Sequence, residues 1–245
     1  MTSEIGPPIL LIHGACHGAW CWDAVTAALQ VRGHRAHALD LPGRAGNGSP
    51  GWRWTLASYA AAIAAAAGRL GAPVIAVGHS MGGQMISAAA ELAPERFLRL
   101  VYLAAYLPVD GDSIASLGRH DPDSLLPHAT KVSLLGGKLT ITAPQAPSVF
   151  YNDCATNTIA HALSRLVPES VRPSITRIRL KNNRFGAIPK SYIRLTEDRA
   201  ITPQLQDWML RRQPCQRIVS LPASHSPFFS LPTELAEKIL EVSAD

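Results

Sequence analysis

Residues 73–90 read PVIAVGHSMGGQMISAAA. Val74 to Val77, led by Pro73, form a short apolar run of the kind a buried strand needs, and Gly78 closes it. Gly78-His79-Ser80-Met81-Gly82 follows, and Gln84 to Leu92 has the composition of a helix. Strand, sharp turn and helix together are the setting that a G-x-S-x-G nucleophile elbow requires. The glycines have a mechanical reason: Ser80 must occupy a strained turn, so its neighbours cannot carry bulky side chains. The serine then projects above the sheet, with a helix N-terminus aimed at charge developing beside it. An ordinary strand-to-helix turn would not need this spacing.

Working outward, Pro8 to Ile12 reads as the first strand and His13-Gly14-Ala15-Cys16-His17-Gly18 as the loop after it. A helix is expected from about Trp20 to Arg32, stopped by Gly33. Arg35 to Leu39 is a second strand ending in Asp40-Leu41-Pro42-Gly43, followed by a glycine-rich loop, GRAGNGSPG, and an alanine-rich helix from Thr55 to Leu70. Beyond the elbow, Leu98 to Ala104 is a fourth strand. From about residue 108 to 189 the alternation breaks, with many prolines and few clean strands, although Thr156 to Leu166 looks helical. That block is too long for a connection and reads as an inserted cap. The pattern resumes with a strand at Ser191 to Thr196, a helix from Pro203 to Arg212, a strand at Arg217 to Leu221 and a last helix from Pro232 to Val242.

Strands alternating with helices predict an α/β fold, a doubly wound and mostly parallel sheet of about six strands. The chain of 245 residues is then one domain, with a core of residues 1–107 and 190–245. Ligands of such sheets bind at the carboxyl ends of the strands.

Composition narrows the function classes. Hydrophobic residues make up 47% and charged ones 17%, which describes a globular chain with a large core. The N-terminal MTSEIGPPILLIHG has no basic segment, and its apolar run is only Ile9 to Ile12, so it reads as a strand and not as a signal peptide or membrane span. Four cysteines show neither metal-ligand spacing nor a paired framework, so a reduced, cytoplasmic setting is expected and no metal. The net charge of +5 is concentrated in Arg172, Arg177, Arg179, Lys181, Arg184, Lys190 and Arg194. No aromatic interleaving accompanies these cations, so a solvated loop face is expected and no nucleic-acid partner.

A serine hydroxyl attacks only when a base takes its proton, and a carboxylate must orient that base. Of nine histidines, only His225 lies beyond the sixth strand, directly after Arg217 to Leu221. The order serine, acid, histidine places the acid between Ser80 and His225. Asp198 follows the fifth of the six strands and is favoured over its neighbour Glu197 and over Asp207, which lies inside the next helix. Asp110 and Asp112, after the fourth strand, hold the reserve position. An oxyanion hole needs two backbone N–H groups: Met81, after the nucleophile, offers one, and Ala15, in the loop after the first strand, the other. His13 and His79 read as structural. Leu107, Phe150 and Tyr151, together with Gly14, are expected to line an apolar substrate pocket.

The segments LLIHGACHGAWCWDAV, DLPG, GHSMGG, FYNDC, TED and SHSPFFSLP together resemble the small α/β-hydrolases of the plant methyl esterase and hydroxynitrile lyase family, with their bacterial carboxylesterase relatives. The C-terminal segment is similar to bacterial esterases that include some acting on pyrethroid-type esters. The likeness runs along essentially the whole chain, thinning between 108 and 189, where FYNDC and its surroundings carry it. It implies a serine esterase working through an acyl-enzyme on small to medium hydrophobic esters, with Ser80, Asp198 and His225 as the triad, Ala15 and Met81 as the oxyanion hole and no cofactor. The lyases of the family carry a threonine and a lysine where this chain has Gly14 and Ser226, which argues against cyanohydrin cleavage. A non-catalytic receptor on the same fold would be expected to lack a triad member. Monomer and homodimer are both compatible with the sequence.

Overall fold

Side chains alternate across a strand, so a run such as Ile9-Leu10-Leu11-Ile12 can serve two cores at once. In the computed structural model, which describes residues 6–44 and 51–244, three adjacent strands do this. Leu10, Ile12, Val74, Ala76, Leu100 and Tyr102 face one buried cluster. Ile9, Leu11, Ile75, Val77, Val101 and Leu103 face the other.

The strands are β1 (Ile9–Ile12), β2 (Ala36–Leu39), β3 (Val74–His79), β4 (Phe97–Leu103), β8 (Lys190–Leu195) and β9 (Arg217–Leu221). They form one six-stranded sheet in the order β2-β1-β3-β4-β8-β9, and every pair is parallel. Helices α2 (Leu56–Gly68) and α3 (Gly82–Leu92) pack on one face with Leu205 and Met209 of the helix Pro203–Arg212. Helix α1 (Asp23–Val31) and the helix Pro232–Ser243 cover the other through Val25, Leu29, Leu235 and Ile239. The chain leaves β1 toward β2 and returns to β3 on the opposite side. The switch in direction therefore lies between β1 and β3, where such sheets open a crevice at the strands' carboxyl ends.

Helix ends follow local chemistry. Thr55 caps α2 by accepting from the Ser58 amide at 3.0 Å, and the Ser58 hydroxyl accepts from the Thr55 amide at 2.8 Å. The helix expected from Trp20 begins instead as a 3-10 turn, Ala19–Trp22, and becomes α-helical only at Asp23. Strand β1 starts at Ile9, one residue after Pro8, which has no N–H for the ladder. Within the glycine-rich loop, residues 45–50 lie outside the described residues, as do 1–5 at the N-terminus.

Between residues 108 and 189 the chain builds a separate three-stranded antiparallel sheet from β5 (Thr130–Ser133), β6 (Lys138–Ile141) and β7 (Glu169–Ser170). Short helices surround it, together with the expected longer one at Thr156–Arg165. The expected solvated basic face is only partly that. Arg184 donates to the Glu91 and Leu92 carbonyls at 2.6 and 2.7 Å, closing the end of α3. Lys190 is buried and donates to the carbonyls of Phe185 and Ile188 at 2.9 and 2.8 Å. Burial lowers its pKa from the ordinary lysine value.

Candidate active site

Ser80 stands at the end of β3 with φ +54, a left-handed conformation that costs a non-glycine residue roughly 1–2 kcal/mol. Close contacts force the turn. A Cβ on Gly78 would lie 2.7 Å from the Gly82 carbonyl oxygen, and one on Gly82 would lie 2.9 Å from that of Ile12. Hydrogen bonds offset the strain: the Ser80 carbonyl accepts from the amides of Gly83 and Tyr106, both at 3.1 Å, and its own amide donates to Leu103 at 3.3 Å. Met81 follows, and α3 starts at Gly82.

His225, in the loop after β9, is buried and lines the same cavity as Ser80. Its Nδ1–H donates to Asp198 Oδ2 at 2.7 Å, which leaves the Nε2 lone pair free. Asp198, in the loop after β8, is also buried, and its Oδ1 accepts from the Ala200 and Ile201 amides at 2.7 and 2.9 Å. The other carboxylates sit elsewhere. Glu197 is exposed. Asp207 pairs with Arg194 at 2.8 Å. Asp112 pairs with Arg212 at 2.9 Å, and exposed Asp110 accepts from the Leu180 amide at 2.9 Å.

The loop after β1 is pinned by its own histidines. The Leu41 amide donates to His13 Nε2 at 3.1 Å, so His13 Nδ1 carries the proton and donates to the Gly14 carbonyl at 2.8 Å. His17 Nδ1–H donates to the Ala15 carbonyl at 2.9 Å, while the Tyr151 hydroxyl donates to His17 Nε2 at 2.8 Å. His79 Nε2–H donates to the His225 carbonyl at 2.8 Å. Burial holds all three imidazoles neutral: that of His17 is pushed down to about 4, and those of His13 and His79 well below the usual histidine range. A Cβ on Gly14 would come within 2.9 Å of His79 Nδ1 and 3.0 Å of the Ser80 Cβ, so only glycine passes Ser80 here. Among the described residues, neither the Ala15 nor the Met81 amide is engaged by another protein group.

Gly14, Ala15, Ser80, Met81 and His225 share a cavity of about 60 Å³ with seven side chains of the intervening segment, among them Leu126, Leu139, Ile141 and Phe150. A second cavity of about 330 Å³ adjoins it across Tyr106, Ile114, Leu126, Leu139 and Ser174. Two expected pocket residues do not line the inner cavity. Leu107 turns into the buried cluster beneath α3, where its amide meets Met209 Sδ at 3.3 Å. Tyr151 stands one layer back, buttressing His17. Phe150 and Gly14 do line it.

No spacing in the sequence marks Asp153 of FYNDC, yet it grips the histidine loop. Its Oδ2 accepts from the Ser224 amide at 2.8 Å and the Ser230 hydroxyl at 2.9 Å, and its Oδ1 from the Ser224 hydroxyl. Burial alone would raise its pKa, but these hydrogen bonds outweigh burial and hold the carboxyl below the ordinary aspartate value. Among the described residues, no group of three or more His, Cys, Asp or Glu side chains is arranged to hold a metal ion. No helix among them is long and apolar enough to cross a membrane.

The family profile described as the alpha/beta hydrolase family matches residues 9–238. The chain belongs to that family. Esterase PIR7B of Oryza sativa subsp. japonica is 28% identical over 99% of this chain and 98% of its own length. An Arabidopsis thaliana protein provisionally named methylesterase 11, chloroplastic, is 30% identical over 96% of this chain, which spans 63% of that relative. Among solved structures, a pyrethroid hydrolase from Sphingobium faniae JZ-2 superposes with a TM-score of 0.85 at 28% identity, over 97% of this chain and 98% of the other.

Proposed function

We propose that this protein is a carboxylic ester hydrolase with Ser80 as nucleophile, His225 as general base and acid, and Asp198 as the carboxylate that orients the imidazole. The observation that carries the reading is the 2.7 Å bond from His225 Nδ1–H to Asp198, behind a ring that shares a cavity with Ser80. As Ser80 Oγ attacks the ester carbonyl, its proton passes to His225 Nε2, and the imidazolium is stabilised by Asp198. The carbonyl oxygen becomes an oxyanion that accepts from the amides of Ala15 and Met81, at the N-terminal end of α3. Collapse returns the proton to the departing alkoxide and leaves an acyl-enzyme, which water cleaves by the same steps in reverse order.

Residues 108–189 act as a cap in this reading, roofing the site with apolar side chains. The narrow inner cavity suits a small acyl group, and the larger one beside it an apolar alcohol. The names of the relatives, an esterase, a methylesterase and a pyrethroid hydrolase, support ester chemistry. Four free cysteines support a reduced, cytoplasmic setting. Cyanohydrin cleavage is disfavoured. The crowding at Gly14 leaves no room for a hydroxyl-bearing side chain, and buried Ser226 supplies no cation to a departing cyanide.

A fluorophosphonate probe should label Ser80 alone, and Ser80→Ala should abolish labelling. Ser80→Ala and His225→Ala should each lower kcat on aryl acetates by a factor on the order of 10⁶ without unfolding the chain. Labelling that survives Ser80→Ala, or cyanide release from mandelonitrile that rivals ester cleavage, would overturn the reading.

A further inference from the structure

Cys16, the residue after the Ala15 amide, is the second strained point of the site, with φ +64. All three of its polar groups are bonded to the segment between 108 and 189. Its carbonyl accepts from the Val167 amide at 3.0 Å. Its thiol donates to the Leu139 carbonyl at 3.6 Å, and burial pushes that thiol up to about 12, so it stays a neutral donor. Its amide donates to Glu169 Oε2 at 3.4 Å.

Glu169 is a fully buried carboxylate, and each of its oxygens is shared. Oε1 accepts from the Tyr59 hydroxyl of α2 at 2.6 Å and from the Ser170 amide at 2.9 Å. Oε2 accepts from the Arg44 guanidinium, which also donates to the Pro168 carbonyl at 3.2 Å. A buried charge persists only when paired and fully hydrogen-bonded, so this carboxylate is a fixed point between the loops after β1 and β2, helix α2 and the cap. The two peptides around Ala15 are then held at every polar end except one. His13 holds the Gly14 carbonyl, His17 the Ala15 carbonyl and Glu169 the Cys16 amide. The end left open is the Ala15 N–H.

We infer that Glu169 is a positioning residue for the oxyanion hole, acting from the cap through Cys16 to keep the Ala15 N–H aimed into the cavity. The inference rests on the ester hydrolase reading above. It explains why a left-handed, non-glycine residue is tolerated next to that amide: the cap bonds replace what a glycine's freedom would otherwise provide.

The test compares wild type, Glu169→Gln and Tyr59→Phe in the full chain. Glutamine removes the charge and replaces one acceptor oxygen by a donor nitrogen, while Tyr59→Phe removes only one hydrogen bond to Oε1. An aryl trifluoromethyl ketone reads the oxyanion hole directly. Ser80 Oγ bonds to its carbonyl carbon, the serine proton moves to His225 and the ketone oxygen becomes the oxyanion. The matching methyl ketone reads ordinary pocket binding.

Glu169→Gln should lose about 10-fold to 100-fold in kcat and a matching factor in trifluoromethyl ketone affinity, with KM and methyl ketone affinity held within about 2-fold. Tyr59→Phe should move the same two quantities by a smaller factor, and it carries the test if Glu169→Gln fails to fold. An active wild type whose folded variants keep full trifluoromethyl ketone affinity, or change only KM, overturns this inference alone. A wild type that neither hydrolyses aryl acetates nor binds the trifluoromethyl ketone overturns the ester hydrolase reading and this inference with it.

Discussion

The turn at Ser80 and the turn at Cys16 lie side by side across Gly14 and hold the same kind of strained backbone, but they are held by different means. The strain at Ser80 is supported by its own turn and the adjoining core strands: its carbonyl takes the amides of Gly83 and Tyr106, its amide reaches Leu103, and its glycines clear space for the carbonyls of Gly82 and Ile12. The strain at Cys16 is supported from 123 and 153 positions away, by Leu139 and Glu169. The turn at Ser80 is thus built by a short sequence and the sheet beneath it. The strained residue beside it, Cys16, is bonded instead to Leu139, Val167 and Glu169 of the segment between 108 and 189. A site divided this way should respond unequally to change: removing a core group should cost chemistry outright, and loosening a cap group should cost alignment.

The sharpest test of that division is the acid. Asp198→Asn keeps the shape of the core loop but presents a donor to His225 Nδ1, forcing the wrong tautomer, a loss of order 10⁴ in kcat in a comparable triad. Asp110→Asn, at an exposed position bonded to the Leu180 amide, should leave kcat unchanged. Steady-state kinetics of the two variants decide it, and a greater loss in Asp110→Asn would move the acid to the loop after β4.

A smaller effect is expected where the cap touches the histidine loop. Asp153 holds the Ser224 amide and hydroxyl, one residue before His225. Asp153→Asn should lower kcat about 10-fold, because a displaced base loses alignment and not identity. The fluorophosphonate labelling rate should fall by the same factor. If Asp153→Asn matches Asp198→Asn in severity, the contrast between core and cap collapses.

The last effect is on stability and leaves the chemistry at neutral pH untouched. His17 is held neutral with its pKa pushed down to about 4, and His13 and His79 are lowered in the same direction. On unfolding, each regains an ordinary value near 6.5 and takes up a proton below it. Between about pH 6.5 and 4 the unfolded chain binds more protons, so stability is complete above the window and is lost as pH falls through it. His17 should contribute a slope of at most about 1.4 kcal/mol per pH unit there, and His13 and His79 act with the same sign. Urea midpoints measured from pH 8 to 5 should be flat at first and then decline. No decline would mean that these rings are not neutral supports of the loops around Ser80.

Much of the sheet was legible because its signal is local. The continuous apolar runs Ile9–Ile12 and Val74–Val77, with a turn or glycine after each, mark buried strands by short-range sterics and burial alone, and the GHSMGG turn is a steric requirement written in adjacent residues. His225 was legible by position, as the histidine after the last strand. Element ends were less so, since the helix expected at Trp20 opens in a 3-10 turn whose last residue, Trp22, is buried in the tertiary core. The small sheet was hidden because β7 is two residues long and exists only by pairing with β6, about thirty residues earlier.

Sequence by itself determined the parallel sheet and the strained turn at Ser80 that ends its third strand, because hydrophobic runs, glycine spacing and strand order act between near neighbours. Tertiary structure alone decided that Leu107 and Tyr151 face away from the inner cavity, that Asp153 clasps Ser224, and that Glu169 is buried against Arg44, Tyr59 and Cys16. Such pairings leave no pattern in the chain. A buried carboxylate is satisfied by whichever donors the fold brings to it, and those donors come here from loops and a helix that only the closed sheet and cap place together.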